Sequence, residues 1–301
     1  MVNYLYSFHI PIFFFLSGIF FNAGENLASF LKRKFFSILL PFYIFEIFSI
    51  ILYVLVEYRF RENISFFKSV IGIFYASPFD GYLNVNVPLW FLPALFSSQL
   101  LYYFINKSRS FKLIALVGIA IGGVWLIKYD IRWLPFGLNQ AFIAVLFLGV
   151  GNLWKDQWMG LPWIIYYIGV GIALVFVIAS WPFARFDLES LRVMPFYSYL
   201  IDAFMGIGLL LCISRILKGI CFINYIGKNS LVIFALQAPV IRGVIYLTSK
   251  LLHCNVEYLR MNIGYSIMVT IGVLILMWPV VEIYDRLLNM IKGRFFTKFE
   301  N

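Results

Sequence analysis

Long uncharged and strongly apolar runs set the pattern of the chain. Residues 1–24, 81–106, 133–154, 157–184 and 261–281 carry no charged side chain at all. Residues 35–56 form a similar run interrupted only by Glu46, and 193–214 one interrupted only by Asp202. The stretch 113–127 is shorter, but Lys112 and Lys128 at its ends can snorkel to opposite interfaces. A weaker run, 222–241, is broken by Lys228. A bilayer core of about 30 Å takes roughly 20 apolar residues per helix, and these runs have that length. They lack the period-two alternation of barrel strands, and backbone satisfaction in lipid then leaves helices. The expected fold is all-α: a polytopic transmembrane helical bundle of about nine helices. It forms a single membrane-embedded domain over 1–301, with a short basic tail at 285–301. The most polar stretch, roughly 57–88, reads as an outer loop with turn signals at Ser77-Pro78 and Asp80-Gly81.

Composition agrees with this and removes the soluble classes. Of the 301 residues, 62% are hydrophobic and 13% charged, against about 25% charged in a typical soluble domain. Too little polar surface exists to cover such a chain in water. The net charge of +10 would suit nucleic acid in a soluble protein. Here the basic residues sit between apolar runs, where they set topology or meet anionic lipid, so no nucleic-acid partner is expected. The 24 Lys and Arg divide 14 to 10 between alternate connections. The tightest cluster, Lys32-Arg33-Lys34, lies on the richer side with the C-terminal tail. The positive-inside rule then puts the tail in the cytoplasm and Met1 outside. An odd number of spans with an outside N-terminus leads to the expectation that a helix is missing upstream. Cys212, Cys221 and Cys254 show no C-x-x-C spacing, so neither a disulfide framework nor a metal site is expected.

Several chemistries lack their residues. The chain has no G-x-x-x-x-G-K-[ST], H-E-x-x-H or G-x-S-x-G motif. Neither histidine opens an H-x-x-x-x-D motif, because positions 14 and 258 are Phe and Tyr. What remains is a short set of candidates. His9, one of two histidines, lies at the end of a span; imidazole titrates near neutrality and suits removal of a proton from a hydroxyl. An interfacial histidine bonded among Tyr4, Tyr6 and Phe8 would look the same. Pro11 removes a backbone donor and lets the preceding turn leave the helix. Glu46 sits inside a span, where a charge costs about 2.5–3.5 kcal/mol and marks a functional or paired group. Lys32, Arg33 and Lys34 suit an anionic ligand, a lipid surface or a topology signal equally well. Trp90 fits an interfacial anchor. His253 beside Cys254 is two ligands at most, not a metal site.

Four stretches, in order, resemble a known family. Phe8-His9-Ile10-Pro11-Ile12-Phe13-Phe14-Phe15-Leu16-Ser17-Gly18 looks like the second-helix signature of the acyltransferase-three family of integral membrane O-acyltransferases, nearest its fucose O-acetylase-like branch. Phe30-Leu31-Lys32-Arg33-Lys34 running to Leu40-Pro41-Phe42-Tyr43 resembles its basic loop and proline-opened third helix. Pro88-Leu89-Trp90-Phe91-Leu92-Pro93 is similar to its tryptophan-bearing helix start, and Tyr225-Ile226-Gly227-Lys228-Asn229-Ser230-Leu231 to a turn before its last helices. The family carries a further first helix, with a basic residue and a histidine, giving ten helices; this chain starts where the second would. It also has Gln237 where the family often has His.

The resemblance implies transfer of an acyl group, usually acetyl, from coenzyme A to a hydroxyl of a cell-surface or lipid-linked carbohydrate, in the bacterial plasma membrane. His9 would be a catalytic residue and Glu46 a further one. Lys32, Arg33 and Lys34 would hold the acyl-CoA donor, which is a substrate rather than a bound cofactor. Trp90 and Asn229 would line the acceptor site, Ser17-Gly18 would allow close helix approach, and no metal is implied. Two other readings fit the composition. One is a polytopic transporter or glycan flippase, although no repeated halves are visible. The other is a catalytically inactive fragment of the family.

Overall fold

The computed structural model describes residues 2–24, 26–59, 64–108, 111–160, 186–217, 219–253 and 263–296, with a few positions between 162 and 175. Among these residues every regular element is helical, and the one β contact is an isolated bridge between Asp187 and Arg192. Among the described residues five helices are long and apolar enough to cross a membrane: Leu27–Leu55, Val87–Lys107, Phe196–Arg215, Ser230–Leu252 and Gly264–Tyr284. Shorter apolar helices accompany them, including Tyr4–Ile19 and Leu138–Leu153. The predicted span 157–184 and Cys254 lie largely outside the described residues. The chain divides into two compact units, Met1–Lys218 and Gly219–Asn301.

In the first unit, α1 (Val2–Phe8) and α2 (Pro11–Ile19) are separated by a turn at His9 and Ile10. Pro11 explains the break, since its ring and missing N–H cannot continue an α-helix through that turn. Next, α3 (Leu27–Lys34) opens on Asn26, whose Oδ1 accepts from the Ser29 N–H at 2.8 Å. It does not stop at the basic cluster. A π-helical segment, Phe35–Leu39, carries it into α4 (Leu40–Leu55), so Lys32, Arg33 and Lys34 lie on a helix and not in a connecting loop. The physical reason is propensity: Lys and Arg are good helix formers, and no Gly or Pro stands between them and the apolar run. The wider π turn lies where the Pro41 ring would otherwise crowd the Ser37 carbonyl.

The expected outer loop 57–88 also needs correction. It contains α5 (Phe66–Tyr75), capped by Ser65 and closed by Ala76 in the left-handed region at φ 53°. Ten residues are too few for a span, and a search tuned to membrane crossings passes over them. Gly72 lets α5 press directly on the Tyr82 backbone.

A 3₁₀ turn, Val87–Trp90, opens α6 (Phe91–Lys107); α7 (Lys112–Lys128), α8 (Leu138–Leu153), α9 (Lys155–Gly160) and α10 (Phe196–Ile216) follow. The centre of this unit is α8, which packs on α2, α6 and α7. Two glycines allow its approach to α2. A Cβ on Gly18 would meet the Leu148 carbonyl, and one on Gly151 would meet the Phe15 carbonyl. Small residues of this kind bring helices together in lipid, where no hydrophobic drive distinguishes a neighbour helix from a lipid tail. Asn152 fastens the seam by donating to the Gly18 carbonyl at 3.1 Å, while Tyr102 donates to its Oδ1 at 2.8 Å.

The rod Leu27–Leu55 runs antiparallel to Val87–Lys107. At one end the Phe30 and Tyr103 rings lie 4.6 Å apart, and at the other Asn86 Nδ2 donates to Ser49 Oγ at 2.9 Å. The faces of α4 are sorted as lipid requires. Ile44, Ile47, Phe48 and Ile51 are exposed, while Phe42, Phe45, Glu46, Ser49 and Tyr53 are buried. Water would reject such a surface; hydrocarbon accepts it.

The second unit holds α11 (Cys221–Lys228), α12 (Ser230–Leu252) and α13 (Ile263–Phe296). Asn229 breaks the weak run 222–241 near the Lys228 position that marked it in sequence. The helices α12 and α13 pack together, and His253 ends α12 at φ 51°. The basic tail expected at 285–301 continues α13 as helix to Phe296; positions 297–301 lie outside the described residues.

Candidate functional site

His9 sits in the turn between α1 and α2 and is half-buried. Its Nδ1 lies 2.9 Å from the Leu5 carbonyl, and Tyr6 meets the ring edge-on at 5.0 Å. A carbonyl only accepts, so in the neutral ring Nδ1 carries the proton and Nε2 the basic lone pair. The break that Pro11 imposes is therefore also what holds this imidazole in one orientation.

The last turn of α3 presents Lys32 and Arg33 exposed and Lys34 half-buried. Arg33 donates to the Asn22 carbonyl at 3.1 Å. Lys34 Nζ lies 5.6 Å from the centre of the Phe30 ring, Phe30 stacks on Tyr103, and Lys107 Nζ lies 4.8 Å from the Tyr103 ring. Lys112, close by in sequence at the start of α7, donates to Asn106 Oδ1 at 2.6 Å. The sequence distributes these cations over two separate connections. The antiparallel pairing of the two rods gathers Lys34 and Lys107 on one aromatic stack, an arrangement in which each ring face meets a cation. At the far end of α7 the charge is mixed: Arg132 pairs with Asp130 at 2.6 Å, and Lys68 donates to the Asp80 carbonyl at 3.0 Å.

Glu46 is 0% exposed, and among the described residues neither carboxylate oxygen has a hydrogen-bond partner. It is 12 residues beyond Lys34 on one continuous helix, about 18 Å along the axis at 1.5 Å per residue. Trp90, at the opening of α6, is 1% exposed. It is therefore not the lipid-facing interfacial anchor that its position suggested; the turn Val87–Trp90 folds it inward. Counting back from the Phe30–Tyr103 and Ser49–Asn86 contacts puts Glu46 opposite Pro88 and Leu89, with Trp90 one to two residues further along. Asn229 has another occupation: its Nδ2 and backbone N–H both donate to the Tyr225 carbonyl, at 3.0 and 3.1 Å, closing the end of α11.

Residue-by-residue reading passed over the partners of these groups. Ser49 and Asn86 bond across 37 positions of sequence, and Gln99 Nε2 donates to Ser17 Oγ inside the bundle. The spacing of Glu46, Ser49 and Tyr53 on one helix face was a usable signal; the identity of Asn86 as partner was not. Among the described residues no three His, Cys, Asp or Glu side chains gather as a metal site requires. In the second unit, a largely apolar cavity of about 440 Å³ is lined by residues including Cys221, Tyr225, Ile233, Met277 and Trp278.

Together these features define a multi-pass helical membrane protein with a cationic, aromatic-lined end and a buried carboxylate on one of its long helices. Residues 1–282 match the family model described as an acyltransferase domain, Acyl_transf_3. The chain belongs to this acyltransferase family. No curated protein and no solved structure gives a match.

Proposed function

We propose that the protein transfers an acyl group, acetyl in the simplest case, from coenzyme A to a hydroxyl of a cell-surface or lipid-linked carbohydrate, across the bacterial plasma membrane with its C-terminus in the cytoplasm. The observation that carries this reading is the cationic end formed by Lys32, Arg33, Lys34 and Lys107. In a chain of an acyltransferase family, it supports an anionic donor. Coenzyme A is charged in its nucleotide half and neutral along its pantetheine arm. Clustered Lys and Arg complement the phosphates. The neutral arm suits the apolar interior, and the roughly 18 Å from Lys34 to Glu46 is a distance that an extended arm of this kind can span.

The chemistry then needs a proton acceptor for the hydroxyl and a place to hold it. His9 has its basic lone pair on Nε2, and Glu46 has two unbonded acceptor oxygens. In the transfer, the hydroxyl oxygen attacks the thioester carbonyl and the C–S bond breaks. The hydroxyl proton passes through the base to the departing thiolate, so an ester and a free thiol are the products.

The test uses the purified full chain in proteoliposomes with acetyl-labelled coenzyme A and a panel of lipid-linked and free saccharides. Labelled ester on a saccharide is the expected result. Replacing Lys32, Arg33 and Lys34 together by Gln should raise the KM for acetyl-CoA by about tenfold or more, since each charged hydrogen bond contributes roughly 1.5–3 kcal/mol. The same variant should use S-acetyl-pantetheine, which lacks the nucleotide phosphates, as well as the native protein does. Equal losses with both donors would remove the cluster from donor binding.

A further inference from the structure

The buried face of α4 is interrupted by polar side chains at a regular interval. Glu46, Ser49, Tyr53 and, just past the helix end, Glu57 follow one another at three, four and four residues. That repeat keeps side chains on one face of a helix. Their exposures are 0, 1, 1 and 5%, while the opposite face is purely hydrocarbon and open. A carboxylate inside a span is costly, and such groups mark sites by default. Asn86 joins the stripe through its bond to Ser49, and Trp90 stands within about two residues of the level of Glu46. Within this set, Glu46 alone combines complete burial with two carboxylate oxygens that no described group satisfies.

Of this set Glu46 supplies the open acceptor oxygens; the Ser49 hydroxyl donates to the Phe45 carbonyl at 2.7 Å and accepts from Asn86, so a ligand on the stripe would exchange those bonds for its own in a dry setting beside aromatic rings. A polyol matches that set. Its hydroxyls donate to carboxylates and accept from an amide, and its C–H faces lie against rings. We infer that this stripe is the binding site of the acceptor, a polyhydroxylated saccharide segment, with Glu46 accepting the O–H of the hydroxyl to be acylated. The inference rests on the acyl-transfer reading and adds where the acceptor lies. In the structure the stripe is closed: Ser49 is bonded to Asn86, and Val85 packs on Ile50 and Tyr53.

Two measurements on the full chain in proteoliposomes test it. First, dicyclohexylcarbodiimide, an apolar reagent for buried carboxyls, is applied with and without methyl glycosides of hexoses and 6-deoxyhexoses. Peptide mass spectrometry then follows modification at Glu46, which at least one glycoside should slow several-fold. Second, Glu46→Gln and Asn86→Ala are compared with the native protein for transfer from acetyl-CoA. The acceptor KM should rise about tenfold or more in Glu46→Gln, the loss expected for a bond to a carboxylate, and roughly threefold to tenfold in Asn86→Ala, the loss expected for a neutral hydrogen bond. The KM for acetyl-CoA should stay unchanged, and Glu46→Gln should keep its thermal midpoint, whereas Asn86→Ala, which loses its bond to Ser49, should unfold a few degrees lower while remaining folded at the assay temperature. Transfer that proceeds with Glu46 unprotected by every glycoside, or with a native acceptor KM in both folded variants, overturns the stripe and leaves the acyltransferase reading standing. Glycoside protection without any transfer keeps the saccharide site and removes the donor. If Glu46 resists the reagent altogether, the KM of Asn86→Ala decides.

Discussion

At the scale of single residues, the sharpest contrast is between His9 and the cations of α3. His9 is held by a carbonyl on one ring nitrogen and a ring edge on its face, so its orientation is fixed before any substrate arrives. A general base contributes about 10²–10⁴-fold to a rate. His9→Ala should therefore lower kcat by that order while leaving the KM for acetyl-CoA near its native value, and added imidazole should restore part of the rate. A native kcat in the purified variant would return His9 to the bland role of an interfacial histidine among aromatics. The histidine was visible in the sequence, as was Glu46, because rare ionisable residues stand out in apolar runs. Their surroundings were not. Nothing near position 9 announces that Leu5 supplies the carbonyl, and nothing near 46 announces that no described group bonds its carboxylate.

At the scale of helices, the seam between α2 and α8 depends on backbone approaching backbone. Gly151→Val puts a branched side chain where the Phe15 carbonyl stands. The two helices must separate, and the Asn152 bond to Gly18 lengthens with them. Overpacking of this kind costs typically 1–3 kcal/mol, read as a lowered thermal midpoint in detergent. Gly122→Ala on α7 is the control, because a Cβ there meets nothing within 4 Å. Its midpoint should hold or rise, since Ala favours a helix over Gly by about 1 kcal/mol. Equal losses in both variants would mean that the seam has no special tightness. Apolar length revealed the helices well, but their ends poorly. Charge in an apolar chain marks a loop only loosely: at Lys32–Lys34 the helix runs straight through. The ten residues of α5 were hidden inside a polar stretch because a crossing needs twice that number. Contacts such as Ser49 with Asn86 depend on the antiparallel register of distant segments, which no local pattern encodes.

At the scale of the molecule, what matters is which way the cationic end faces. The count of 14 against 10 is a modest bias, but the structure sharpens it. The two rods bring Lys34 and Lys107 to the same end, whereas the far end mixes Arg132 and Lys68 with Asp130 and Asp80. An anion is drawn to the first end and not the second. Coenzyme A thioesters are made in the cytoplasm, so the acyltransferase reading requires the Lys34 end to lie there, and the positive-inside rule points the same way. A reporter that gains activity only outside the membrane, inserted in the turn at Asp80-Gly81, should therefore be active. A fluorescent protein fused after Asn301, which matures only in the cytoplasm, should glow. The reverse pattern would put the cationic end outside, beyond reach of the donor. Coenzyme A would then be excluded as the partner of Lys32–Lys34, and those cations would be left to the anionic headgroups of the outer leaflet.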